Sequence, residues 1–175
     1  MKKLIIKYGI ITGAIIGGAL AIGVSTMDIE NPNFEISAYI GYGSMLLAFA
    51  LLIPAVRQAN ALEYLGFWKN VLFCLGIVAI AAAIYSLVWT IYITFINPGA
   101  IETFTKYYTD EIAKENLTGD KLKEAMENVA FMKNIYSTPA FCFLFTLIEP
   151  LPVGILLSFL SSTLAHYKNN KLTKA

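Results

Sequence analysis

One carboxylate stands inside an otherwise uncharged stretch: Glu149, in the run Thr146-Leu-Ile-Glu149-Pro150-Leu-Pro152-Val-Gly154. Within hydrocarbon such an acid costs roughly 2.5–3.5 kcal/mol unless something pairs with it or neutralises it. Pro150 and Pro152 lack the N–H groups that the carbonyls of Thr146 and Ile148 accept in a regular helix. A kink or short unwound turn beside the acid is therefore expected, with freed acceptors where no water replaces the lost bonds. That combination suits a proton, a cation, a lipid headgroup or the polar group of a partner. It equally suits a static kink in which the acid anchors hydrogen bonds. Both readings stand at this level.

Other chemistries lack their parts. The chain has no Gly-rich phosphate loop, no Gly-x-Ser-x-Gly elbow and no His/Glu pair at metal spacing. One carboxylate alone is a poor active site, so no catalytic residue, metal ligand or cofactor is assigned and the chain reads as non-enzymatic. The lone histidine, His166, reads as a surface residue after the last apolar run. Cys74 and Cys142 fall near the starts of two runs that enter from opposite faces, about 20 Å apart by helix rise. That exceeds disulfide reach, and both read as small core residues. A net charge of +1, with the aromatic residues in apolar runs rather than among cations, argues against nucleic acid.

The elements that hold Glu149 follow from charge segregation. Of 175 residues, 57% are hydrophobic and 14% charged, against about 25% charged in a soluble domain; mean hydropathy is +0.63. Tyr8–Met27, Ile36–Val56 and Asn70–Ile101 carry no formal charge, and Asn134–Tyr167 carries only Glu149. Each is long enough to cross a core of about 30 Å as a helix. The fold class is all-α: a polytopic membrane protein of one domain, 1–175. Four antiparallel transmembrane helices are expected at about 4–26, 35–57, 70–96 and 138–165. The first reads as a retained helix rather than a cleaved signal peptide, because its apolar stretch outlasts an ordinary signal core.

Lys2, Lys3 and Lys7 precede the first span, Arg57 and Lys69 lie in the second loop, and Lys168, Lys171 and Lys174 follow the fourth. The first loop, Thr26 to Glu35, holds Asp28, Glu30 and Glu35 without a basic residue. The positive-inside rule then places both termini in the cytoplasm. The third loop becomes an extracytoplasmic helical hairpin at about 98–134. Ile101, Phe104, Tyr108 and Ile112 share one face there, and Leu122, Met126 and Val129 share another, with Thr118 as the expected N-cap of the second helix.

Gly9, Gly13, Gly17, Ala21 and Ser25 recur every four residues along the first span, a groove that lets another backbone approach. Its occupant is either a helix of the same bundle or a second copy of the chain. In the third span Tyr85, Trp89 and Tyr92 share a face. Glu149 lies eight residues into the fourth span, about 12 Å down, a level matched by Ser44, Tyr85, Trp89 and Thr90. The candidate intramembrane site is therefore Glu149, Pro150, Pro152, Thr146, Tyr85, Trp89 and Ser44, with no cation in reach. Transport predicts that Glu149, Tyr85 and Ser44 line a water-accessible path; association predicts a sealed bundle with Glu149 fully hydrogen-bonded.

Several short patterns run through the whole chain: Lys7-Tyr8-Gly9, Gly41-Tyr42-x-x-Met45, Arg57 with Gly66-Phe67-x-Lys69, Tyr136-x-x-Pro139, and the Thr146–Gly154 segment. Together they resemble the four-pass membrane proteins grouped as domain of unknown function 4199, found largely in Bacteroidota. The resemblance implies a single-domain bacterial inner-membrane protein without an established activity. It also points to the Tyr136–Pro139 and Glu149–Gly154 segments as carriers of a shared role. The expected function is a non-enzymatic association or accessory component, in contact with the lipid bilayer and with itself or another membrane protein. The alternative is a proton- or cation-linked carrier or channel subunit in which Glu149 titrates.

Overall fold

The computed structural model describes residues 1–25 and 34–172, and every element in them is helical. The acidic residues Asp28 and Glu30 of the first loop, and Lys174 of the tail, lie outside the described residues. Helix α1 is Lys2–Ser25, α2 Phe34–Phe49, α3 Leu52–Leu62 and α4 Gly66–Ile91, which ends in a π-helical turn at Tyr92–Ile96. Then come α5 (Ala100–Lys114), α6 (Asp120–Ser137), α7 (Pro139–Ile148) and α8 (Leu151–Leu172). Four helical stretches are long and apolar enough to cross a membrane: Lys2–Val24, Tyr39–Leu62, Gly66–Ile96 and Pro139–Tyr167. The chain is thus an all-α polytopic protein, with α5 and α6 paired as a hairpin between its third and fourth spans.

Two spans are broken, and proline explains both. In the fourth, the break falls between α7 and α8 at Glu149–Pro150, as the sequence leads one to expect. In the second, α2 gives way to α3 at Ala50–Leu51, a break the charge pattern does not signal. Pro54 cannot donate to the Ala50 carbonyl. The Ile53 N–H takes that carbonyl instead at 3.1 Å, one residue tighter, and Leu51 N–H reaches Ala48 in the same way at 3.1 Å. The π turn at the end of the third span closes with Asn97 N–H on the Tyr92 carbonyl at 2.8 Å, directly before Pro98.

Helix α4 is the hub, packing on α1, α7 and α8. The core joins Ile16 of α1, Met45 and Phe49 of α2, Leu52 of α3 and Ile77 and Val78 of α4. The small-residue face of α1 lies against α4. A Cβ at Gly9 would sit 2.7 Å from Ile80, one at Gly13 2.8 Å from Ile84 and one at Gly17 3.1 Å from Val88. Of the two occupants considered for this groove, the structure therefore supplies a helix of the same bundle. Ala21, at its far end, is exposed. Outward-facing Ile10, Leu47, Leu72, Phe95 and Leu156 form the apolar surface that a bilayer covers.

The hairpin stands on the bundle through one end. Ile101 is buried with Ile93 and Cys142, and Trp89, Tyr92 and Tyr136 pack around them. Further out α5 and α6 mainly face each other, and Leu122 and Met126 are exposed. Thr118 does not cap α6. Gly119, at φ +61°, occupies the N-cap position and no side chain bonds the first turn. A left-handed residue is needed there to turn the chain sharply, and glycine adopts it without strain.

Candidate functional site

Glu149 terminates α7. Its N–H bonds the Thr146 carbonyl at 3.2 Å, the short i−3 contact that replaces the donor Pro150 lacks, and the ladder resumes with Gly154 N–H on the Pro150 carbonyl at 3.0 Å. The carbonyl of Thr146 is thereby satisfied rather than left open. Pro150 is fully buried and Thr146 nearly so. The kink turns the acid outward. Glu149 is exposed on the flank of the bundle at the middle of the fourth span.

One neighbour holds it. Tyr85, on α4 and only 5% exposed, donates its hydroxyl to Glu149 Oε2 at 3.1 Å. This meets the requirement that a buried phenol find a partner. The other depth-matched residues point elsewhere. Ser44 Oγ donates to the Gly41 carbonyl of its own helix at 2.7 Å, and Thr90 Oγ1 meets Cys142 Sγ at 3.7 Å. Trp89 stacks on Tyr92 with centroids 5.8 Å apart and meets Tyr136 edge-on at 6.4 Å. Hydroxyls at the right level do not suffice, because a Ser or Thr can bond its own helix carbonyl one turn back.

Two tyrosines absent from the depth-matched set complete the surroundings. Tyr136, near the end of α6, reaches down from the hairpin and also meets Phe145 of α7 at 6.1 Å. Its phenol is pushed up to about 12, by burial first and next by the Glu149 carboxyl group, with smaller contributions from Cys142, Tyr108 and Tyr42. Tyr136 therefore lies within the electrostatic field of Glu149, and Tyr42 of α2 within that of Tyr136. Tyr42 is itself exposed. The signal for both lay in the short patterns Gly41-Tyr42 and Tyr136-x-x-Pro139. Helix depth could not find Tyr136, since it belongs to a hairpin whose docking is a tertiary event.

Below the acid the bundle is closed. A Cβ at Gly154 would collide with Val78, so α8 and α4 touch backbone to side chain there. Further along, Cys74, Ser158 and Ser162 are fully buried. Both serines donate to carbonyls four residues back, at 2.7 and 2.8 Å. At the base, Asn60 Nδ2 donates to Asn70 Oδ1 at 2.8 Å and Asn60 Oδ1 accepts from Leu65 N–H at 3.0 Å, fixing the turn between α3 and α4. His166 is not a plain surface residue. Its Nδ1 pairs with the Tyr64 hydroxyl at 3.2 Å and its ring meets Phe67 edge-on, tying the end of α8 to that turn.

Neither arrangement expected from sequence is met in full. Glu149 and Tyr85 come together but Ser44 does not join them, and the acid is neither sealed inside the bundle nor fully hydrogen-bonded by it. Cys74 and Cys142 are both free and buried. Among the described residues no three His, Cys, Asp or Glu side chains group to hold a metal ion. What the site offers is one carboxyl group on the bundle's flank, one fixed donor and neighbouring aromatic rings.

Comparison with curated proteins and with solved structures gives no match. The model of one family matches residues 7–165, most of the chain. From that match, the chain belongs to the family described as protein of unknown function (DUF4199).

Proposed function

We propose that this is a non-enzymatic component of the bacterial inner membrane that associates with another membrane-embedded component at the Glu149–Tyr85 site, approached from the bilayer. The observation that carries the reading is the position of the acid. It is exposed on the bundle flank and held by Tyr85, while Val78 closes on Gly154 beneath it. An acid with no basic partner among the described residues gains from whatever docks there, since low dielectric strengthens every complementary contact. The basic residues flanking the spans, Lys2, Lys3, Lys7, Arg57 and Lys69, support cytoplasmic termini.

The carrier reading needs water to reach Glu149 from both faces in turn. The closed seam along α4 and α8 favours the association reading over it. Labelling Glu149→Cys in intact membranes separates them. A lipid-soluble maleimide should react and a charged maleimide should not, from either side. Reaction with the charged reagent from both sides would overturn the association reading in favour of a conduit. In a deletion-rescue assay Glu149→Gln should fold and fail to rescue, and full rescue would refute a functional role for the acid.

A further inference from the structure

The route to Glu149 has a shape. Helix α2 packs chiefly on α1 and α8, whereas α7 packs chiefly on α4 and α6. Exposed side chains include Tyr39, Tyr42 and Leu46 on α2 and Phe141, Phe145 and Ile148 on α7. Toward the hairpin, Trp89 and Phe145 pack on Tyr136, and on the other side of the kink Gly154 meets Val78. The exposed side of the acid, within an apolar span, faces acyl chains.

A ligand arriving that way must be soluble in hydrocarbon, yet must complement a carboxyl group. A hard metal ion fits badly, because it demands several oxygen ligands and holds its water tightly, and the site offers one acid. A large organic cation fits well. Its charge is spread and weakly hydrated, and aromatic faces beside an acid are the surroundings that stabilise it. A partner helix bearing a lysine fits less well, since close helix packing wants small residues and the exposed face of α7 is Phe141, Leu144, Phe145 and Ile148.

Resting on the lateral-access reading above, we propose that the Glu149 site binds lipophilic organic cations, with the carboxylate as counter-charge, Tyr85 orienting it, and Tyr42, Tyr136 and Trp89 supplying aromatic faces. The titratable groups tied to the acid are Tyr85 of α4 and Tyr136 of α6, with Tyr42 of α2 and Cys142 of α7 near Tyr136, and none of them is basic. Only the acid can supply the negative charge near neutral pH.

The test uses the full chain in lipid nanodiscs with tetraphenylphosphonium as the probe. The protein has two tryptophans, so Trp68→Phe leaves Trp89 as a fluorescent reporter beside the site. Saturable quenching of Trp89 is expected, weakened at least about tenfold by Glu149→Gln, which corresponds to about 1.4 kcal/mol. Tyr136→Leu should weaken it roughly two- to fivefold, the worth of one aromatic face. Met132→Phe, which fills the separate apolar pocket between α5 and α6 without adding a second fluorophore, should leave it unchanged. Wild-type protein provides a check free of folding effects: the probe should protect Glu149 from dicyclohexylcarbodiimide.

Absent quenching, or equal affinity in Glu149→Gln without protection of the wild-type acid, overturns the proposal. So does a leucine-rich transmembrane peptide with one central lysine that binds through Glu149 where the phosphonium does not. If either result accompanies bilayer-only labelling of Glu149→Cys, the ligand class fails and the lateral site survives. Labelling from water on both sides removes both.

Discussion

Replacing Tyr85 with Phe removes one hydroxyl and nothing else from the centre of the site. The ring keeps its buried place on α4, so the loss is that of the bond to Glu149 Oε2 at 3.1 Å. Two magnitudes compete. A hydrogen bond to a charged group in a folded protein is worth about 1.5–3 kcal/mol. Interhelical bonds in membranes average about 0.6 kcal/mol and reach about 1.7, because helices separated in the bilayer find other partners. Here the upper part of the membrane range applies. Glu149 follows the last residue of α7, and Pro150 and Pro152 come next, so the local backbone offers it few spare donors once Tyr85 is gone. A coupling of about 1.4 kcal/mol, a tenfold change in the unfolding equilibrium, is expected. The assay is a double-mutant cycle of Tyr85→Phe and Glu149→Gln, with unfolding followed in bicelles. The cycle cancels whatever each substitution does alone. A coupling below about 0.5 kcal/mol would place the phenol and the acid side by side without a bond that matters, and the geometric argument would fail.

Two further perturbations test the frame around the site. Gly13→Leu drives a side chain into Ile84 and Ala81 and should cost about 1–3 kcal/mol by overpacking. Gly18→Leu, one helical position away from that face with open space around it, should be near neutral in the same thermal melts, and equal effects would show that α1 does not pack as described. Alkaline titration probes Tyr136. Its phenol is raised from 10.0 to about 12, so the folded chain favours the neutral form. Its contribution to stability is complete below pH 10 and is lost as pH climbs through about 12. Tyr136→Phe should remove one late-ionising phenol from the absorbance at about 295 nm and flatten that loss of stability, and an unchanged profile would refute the burial of Tyr136.

The four spans were legible because bilayer thickness acts on sequence directly: a helix that crosses hydrocarbon excludes charge for about 20 residues. The break at Pro150 was legible for an equally local reason. The break at Pro54 obeys the same rule, yet it sits in an uninterrupted apolar run where no charge draws attention to it. Depth counting along helices brought Glu149 to the level of Tyr85, and the two meet. It placed Ser44 at the same level as well, but level says nothing of azimuth, and Ser44 turns to the Gly41 carbonyl.

What the sequence determined by itself is therefore one-dimensional: the count and extent of the spans, the small-residue face of α1, the kink and the height of the acid. Tertiary structure decided which faces meet. It set α1 against α4 through Gly9, Gly13 and Gly17, lowered Tyr136 from the hairpin onto the site, and turned Glu149 outward rather than into the core. The physical reason is that hydrophobic periodicity loses its meaning in a membrane. Lipid-facing and bundle-facing residues are both apolar, so only the packing of one helix on another distinguishes inside from outside.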